Sequence, residues 1–277
     1  MNILNWQLFL EEIVGEKPIS NLQSYIEGMK YSMKDKLFFT DIFDFDVIVD
    51  FGCADGTFLE ELSKIKPNVK LIGYDLDDEM LSKAQSRLGK KALFTNNWYD
   101  AVKYTSSFRN PLLNLSSVIH EVYSYSRPNV ISQFWNSQVF GGDFKHITIR
   151  DMIPSIEIEK QEISHFKDDV RKVRSKTDRF YLDSFEKKWG TISNNYRTFV
   201  HYLMKYRYTE NWDREVNENY LPVSLETVKS KIPGDYKIIY EEDFLLQFLK
   251  DQVKKDFNVE LTHSTHTKMI LKNTKFK

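Results

Sequence analysis

The stretch Asp46–Asp75, DVIVDFGCADGTFLEELSKIKPNVKLIGYD, restricts what this chain can fold into more than any other. Its first apolar run, Val47–Val49, is too short and too β-branched for a buried helix and reads as a strand. The chain turns through Gly52-Cys53-Ala54-Asp55-Gly56 and resumes with Phe58, Leu59, Leu62 and Ile65 at helical spacing, until Pro67 and Asn68 stop it. A second apolar run, Val69–Tyr74, ends on Asp75. Strand, glycine turn, helix, strand and acid make one βαβ unit, with about the spacing that nucleoside binding requires.

The ligand chemistry follows from the residue types. Glycine lets the backbone pass close to a ligand where a Cβ would clash. The helix start beside the turn offers unpaired N–H groups and partial positive charge. An acid at the end of the second strand can accept both hydroxyls of a ribose. A dinucleotide site would carry G-x-G-x-x-G where this chain has G-C-A-D-G, which disfavours a pyrophosphate.

VDFGCADGTF followed by GYDLDDEML resembles the first two motifs of class I S-adenosylmethionine-dependent methyltransferases. The resemblance implies that Asp50, Gly52, Cys53, Ala54 and Gly56 cradle the methionine part of S-adenosylmethionine. It implies that Asp75, with Leu76 beside it, holds the adenosine ribose. Ala54 stands where the family often has glycine, a departure of one methyl group. By the same resemblance Met80 packs on adenine, Asn96 or Asn97 meets the adenine amino group, and Ser116 lies at the cofactor. Core packing for Met80 and ordinary loop positions for the asparagines are the alternatives.

Composition narrows the setting. A net charge of −1 provides no global field toward nucleic acid or membrane. The single Cys53 excludes an internal disulfide and fits a reducing compartment. The N-terminus lacks a basic start and a small-residue cleavage site, and no apolar run is long enough to span a bilayer, so a cytoplasmic protein without membrane partners is expected.

Along the chain, residues 1–43 read as helices: Trp6, Phe9, Leu10 and Ile13 form one apolar face, and Leu22, Ile26, Met29 and Met33 another over Leu22–Phe39. The resemblance would fold this cap over the cofactor and let Met29, Lys30 or Lys36 reach it. The segment DDEMLSKAQSRLGKK is an amphipathic helix, and Lys91–Thr95 a short third strand. Asn110–Val118 reads as a fourth strand that passes directly into IHEVYSY, so that Ser116, Ser117, His120, Glu121, Tyr123 and Tyr125 gather at the ligand-bearing edge of an α/β sheet. A capped helix start, with Ser117 as cap and Glu121 in the first turn, is the structural alternative. A helix over Asn129–Val139 and a fifth strand over Lys145–Ile149 follow, bringing Arg150 and Asp151 to the same edge. There Asp151 would orient the acceptor or act as base and Arg150 would meet an anionic group; an ion pair between the two is the alternative.

Residues 155–230 are too long for an ordinary connection and read as a helical insertion for substrate recognition. Lys167, Arg171, Lys172, Arg174, Lys176 and Arg179 crowd together, interleaved downstream with Trp189, Tyr196, Phe199, Tyr202, Tyr206, Tyr208 and Trp212. Basic groups with aromatic faces suit RNA; an aromatic core stripe under a charged surface is the alternative. Tyr236–Tyr240 and Thr265–Leu271 form two late strands around a helix over Asp243–Asp256. His263 and His266 invite a metal reading, but no third ligand converges, and no metal is expected.

The expected fold is therefore α/β: a doubly wound, mostly parallel seven-stranded sheet with the last strand antiparallel, N-terminal helices, and the insertion before the last strand pair. Residues 44–154 and 231–277 would form the S-adenosylmethionine-binding core. The expected activity is methyl transfer to an O or N nucleophile, with His120 as first candidate for general base, Asp151 as second, and Glu121 beside them. The acceptor is RNA or a small molecule. A non-catalytic cofactor- or nucleic-acid-binding module on the same fold is the second class of reading.

Overall fold

The structure, a computed structural model, describes residues 33–276. The N-terminal expectations that fall on Trp6, Phe9, Leu10, Ile13, Leu22, Ile26, Met29 and Lys30 lie outside the described residues. One helical turn, Met33–Lys36, is followed by turns from Leu37 rather than by helix to Phe39.

Seven strands form one sheet in the order β3-β2-β1-β4-β5-β7-β6. These are β1 (Val47–Phe51), β2 (Lys70–Tyr74), β3 (Ala92–Thr95), β4 (Pro111–Ser116), β5 (His146–Asp151), β6 (Tyr236–Phe244) and β7 (His266–Asn273). The pairings from β3 through β5 are parallel, and β7 runs antiparallel to both β5 and β6. The sheet order reverses between β1 and β4, which opens a crevice at the carboxyl ends of those two strands. Every residue of β1 is buried, because helices cover both faces of the sheet.

One face packs Val47, Val49, Leu113, Leu115, Ile147 and Ile149 against Trp98, Ile119, Phe134 and Trp135. These come from α3 (Trp98–Thr105), α4 (Ile119–Tyr125) and the π-helical turn Phe134–Val139, which continues α5 (Pro128–Gln133). The other face packs Ile48, Leu71, Leu112 and Ile270 against α1 (Thr57–Ile65). Beside it lies α2 (Asp78–Leu88), whose first N–H groups are capped by the Asp77 carboxylate.

On that second face the apolar pattern gives way to polar residues toward the crevice. Asp50, Asn114 and Thr148 lie side by side on β1, β4 and β5. The Asn114 amide donates to Asp50 over 2.8 Å, and the Thr148 hydroxyl donates to the Asn114 carbonyl over 2.8 Å. Two residues further along, Ser116, Arg150 and Lys268 form the next row across β4, β5 and β7.

Several boundaries differ from the sequence expectation, and two of them have a cause in the local contacts. Strand β4 stops at Ser116 because Ser117 takes a left-handed conformation, φ 59°, and turns the chain into α4. Strand β6 runs on through Phe244, where helix had been expected from Asp243, because Asp243 stays paired with Thr267 and accepts its hydroxyl over 2.7 Å.

The segment between β5 and β6 contains α6 (Lys167–Lys176), α7 (Arg179–Trp189) and α8 (Tyr196–Lys205). They share an apolar core with α9 (Gln247–Phe257), through Leu249, Val253 and Phe257. Tyr196, Phe199, Tyr202 and Trp212 are buried in that core and Trp189 and Tyr206 are partly buried against it, which leaves Tyr208, 42% exposed, as the exposed member of the aromatics expected to stack bases. The basic run is largely paired, Arg171 with Asp168, Lys172 with Asp169 and Arg174 with Glu186. Each aromatic sits one helical repeat from another apolar residue, which is what burial rather than display demands.

Candidate active site

The turn between β1 and α1 is held in an open loop by backbone conformation. Gly52 and Gly56 have φ of 74° and 76°, and Ala54 is also left-handed at 46°. A Cβ on Gly56 would stand 3.0 Å from that of Ala84, so the turn and α2 approach as closely as they do only because the residue is glycine. The N–H groups of Gly52 and Cys53 both donate to the Tyr74 carbonyl, which fixes the turn to the end of β2. The Asp55 carboxylate caps α1 by accepting from the Thr57 N–H and hydroxyl, and Arg87 of α2 grips it at 2.6 Å.

Asp75 stands where β2 ends. One carboxylate oxygen accepts from the Ala54 N–H over 2.8 Å and the other from the Asp77 N–H over 3.0 Å, so the group is aimed along the rim of the turn with lone pairs to spare. Burial holds its carboxyl above the ordinary value, a cost that a donor pair from a bound ligand would offset.

Below the rim is a cavity lined by Met33, Lys36, Asp50, the glycine turn and Ser116. Burial raises the Asp50 carboxyl to about 7 despite the hydrogen bond from Asn114. Burial, reinforced by Arg150, lowers the Lys36 ammonium to about 8. One acid and one base face the same small space. The hydroxyl of Ser116 is buried there without a hydrogen-bond partner.

On the opposite face of the sheet, Asp151 is fully engaged. One oxygen accepts from the Val118 and Ile119 N–H groups, at 2.8 and 2.7 Å, and thereby caps α4 from another strand. The other lies 2.6 Å from His120 Nδ1 and accepts from Met152 N–H. His120 Nε2 is 2.8 Å from Glu218, which belongs to the segment between β5 and β6. Burial alone would lower the imidazole, but Asp151 and Glu218 together raise it to about 10. Burial would raise both carboxyls, and the imidazolium between them holds each below its ordinary value.

A glycine turn on β1, an acid on β2, a switch point between β1 and β4, and an antiparallel β7 inserted between β5 and β6 define the topology. The chain has the class I methyltransferase fold. No protein-family profile matches the sequence. Over 116 residues it is 36% identical to a carboxy-S-adenosyl-L-methionine synthase from Nautilia profundicola, a match that spans 37% of this chain and 45% of that protein. Among solved structures it is similar to the plantazolicin methyltransferase BamL in complex with a triazolic desmethylPZN analog and SAH, at 11% identity, 92% of each chain and a TM-score of 0.48. It is also similar to the N-methyltransferase NodS from Bradyrhizobium japonicum WM9, at 11% identity, 91% of this chain, 98% of that one and a TM-score of 0.43. The fold rests on the strand order and not on these two likenesses.

Within this methyltransferase fold the residues expected at the cofactor divide into two groups. Asp50, Gly52, Cys53, Ala54 and Ser116 line the cavity, and Gly56 and Asp75 shape its rim. Leu76 packs against the core beside Trp98, and Met80 is buried in the first turn of α2. Asn97 is otherwise employed: its carbonyl caps α3 by accepting from the Tyr99 and Asp100 N–H groups, which uses the acceptor that adenine would need. Asn96 donates to Asp78 over 3.0 Å and keeps its carbonyl available at the exposed edge.

The residues expected as bases are all engaged in polar contacts. An imidazolium with a carboxylate on each nitrogen has no lone pair to accept a proton, and Asp151 has each oxygen in two contacts. Glu121 meets Arg214 at 3.1 Å. The expected cap, Ser117, instead accepts from Arg150 over 3.0 Å, and Asp151 does the capping. Among the described residues His120, Glu121 and Glu218 are near enough to share a cation, but Arg214 already contacts both glutamates. His263 meets the Tyr196 hydroxyl, while buried His266 packs beside Phe244 and bonds Thr265, so the two do not converge.

Glu218 is the residue that sequence reading missed. Its only signal was a glutamate in the polar run NENY within the helical segment, and nothing in that run points to a histidine far upstream on α4.

Proposed function

We propose that this chain transfers a methyl group from S-adenosylmethionine to a small acceptor bound at the carboxyl ends of β4 and β5. The observation that carries the reading is the Asp75 carboxylate anchored on the Ala54 N–H at the rim of a left-handed glycine turn. That arrangement leaves acceptor capacity for two ribose hydroxyls. Asp50 and Lys36 offer opposite charges in the cavity below, which suits the ammonium and carboxylate of an amino acid. When bound, the sulfonium supplies an electrophilic methyl group, so the protein need only align and exclude water. Asp75 and the turn fix the nucleoside end, Asp50 and Lys36 the amino acid end, and the Ser116 row borders the space between them and the acceptor.

Since His120, Asp151 and Glu121 are engaged in charged contacts, the reading favours a nucleophile already deprotonated at working pH. The buried aromatics between β5 and β6 favour a small acceptor over RNA. Calorimetric titration with S-adenosylhomocysteine tests the cofactor, with micromolar binding expected. Transfer of a labelled methyl group into fractionated cell extract tests the acceptor. Label in the small-molecule fraction is expected; label confined to RNA, or to no fraction at all, would reject the reading.

A further inference from the structure

Arg150 is a buried guanidinium of the crevice, only 3% exposed, and it has no carboxylate partner among the described residues. Its Nη1 donates to the Ser117 hydroxyl, and its Cζ lies 5.5 Å from the centroid of the Phe244 ring. Its Nε and Nη2 make no hydrogen bond. The acids nearby are committed elsewhere: Asp151 to α4 and His120 on the other face of the sheet, Asp35 and Glu242 to Lys268. The adjacent residue in register on β4, Ser116, also has a buried hydroxyl without a partner, and it lines the cavity of the glycine turn. A buried cation left with two unmet donors is costly unless something else meets them.

We propose that Arg150 receives a carboxylate carried by the methyl acceptor, with the Ser116 hydroxyl donating beside it. The proposal rests on the methyl-transfer reading above. Three features select the ligand. Nε–H and Nη2–H point to the same side of the guanidinium plane, the fork that takes both oxygens of one carboxylate. Phe244 presents its ring to the guanidinium carbon and offers it no acceptor, so the unmet donors are left for a ligand. One buried guanidinium balances one singly charged carboxylate, whereas a phosphate dianion would remain under-compensated. The cofactor brings a carboxylate of its own, but Lys36 lies in the cavity of the glycine turn beside Asp50 and serves that end. Arg150 stands two strands away from the turn, on β5, where the acceptor must approach.

The test titrates the full-length protein, saturated with S-adenosylhomocysteine, with benzoate and separately with benzamide, which has the same shape without the charge. Benzoate should bind at least about tenfold more tightly than benzamide. Arg150→Met, which keeps the length of the side chain and removes its charge, should weaken benzoate at least about tenfold and change S-adenosylhomocysteine affinity less than about twofold. Arg150→Lys should retain part of the benzoate affinity, because it restores the charge without the fork. If Arg150→Met does not fold, Arg150→Gln, which keeps polar donors and removes the charge, carries the test with the same expected losses. Equal binding of benzoate and benzamide overturns the proposal. So does a tenfold loss of S-adenosylhomocysteine with benzoate unchanged, which would give the guanidinium to the cofactor's own carboxylate. Absence of S-adenosylhomocysteine binding in the wild-type protein rejects the methyl-transfer reading instead, and it is read before any variant is made.

Discussion

His120 Nδ1 and Asp151 Oδ1 lie 2.6 Å apart beneath the start of α4, and the same carboxylate caps that helix through Val118 and Ile119. One side chain thus positions a helix and charges a histidine. On its other nitrogen the histidine carries Glu218, so a chain of three buried ions joins the sheet to the segment between β5 and β6. The arrangement ties the start of α4 to that segment through contacts on both imidazole nitrogens.

Replacing His120 with leucine would leave Asp151 and Glu218 buried without their shared cation. Breaking a buried pair in this way costs about 3–5 kcal/mol, a large share of the 5–15 kcal/mol of a typical domain. Chemical denaturation should show a loss of that size. A loss under about 1 kcal/mol would mean the histidine is not charged in the folded protein.

The same pair fixes the sign of a pH effect. The folded imidazole is raised from 6.5 to about 10, so its contribution is fully present below 6.5 and is lost as pH rises toward about 10. Asp151 and Glu218 are held below 3.8 and 4.5, so their share is present above those values and is lost in acid. The melting temperature should therefore decline from pH 7 to 10 in the wild-type protein, and the decline should be shallower in His120→Leu. Parallel profiles would refute the assignment.

Asp75→Ala should weaken S-adenosylhomocysteine roughly 10- to 150-fold, the worth of charge-assisted bonds to ribose at about 1.5–3 kcal/mol. Calorimetry on a variant whose melting temperature has been checked reads this directly. Unchanged affinity would place the nucleoside elsewhere.

On the proposed reading, Asp50 and Lys36 set the pH range of binding. An ammonium ligand prefers ionised Asp50, so affinity should fall as pH drops below about 7. A carboxylate ligand prefers charged Lys36, so affinity should fall again above about 8. Titrations from pH 5.5 to 9 should give a maximum between these values, and Asp50→Asn should abolish the acid limb. A flat profile would detach both groups from the ligand.

Residues that lie close in sequence and repeat with a period were legible before the structure. The βαβ unit, the strand sequence through β5 and the late antiparallel pair all follow from apolar runs bounded by turn residues. That Asp50, Gly52 and Asp75 lie together was legible because one unit holds them all. Asn97 was left between an adenine contact and an ordinary loop position because an asparagine at a strand end serves equally well as a helix cap, and only the positions of the Tyr99 and Asp100 N–H groups reveal the cap. The aromatic insertion was left between base stacking and a core stripe because period alone does not say which face of α7 or α8 is covered. His120 was located at the sheet edge, but its role depended on Glu218, which folding brings from more than one element away.

The tie between sheet and insertion can be measured through His120 and Glu218. Glu218→Leu removes one carboxylate from a cluster that also includes Arg214 and Lys205, whose ammonium donates to the Glu218 carbonyl. The single variants should each destabilise strongly, because each strands an opposite charge in a buried site. Joined in one protein, the two leucines no longer strand each other's charge, so the double variant should lose less than the sum by about 1–3 kcal/mol. Limited proteolysis should follow the same order, with cuts in the segment between β5 and β6 fastest in Glu218→Leu and slower when His120→Leu is added. Strict additivity in the cycle would mean that the 2.8 Å contact carries no energy and that the apolar core around Phe199 and Leu249 alone holds the segment in place.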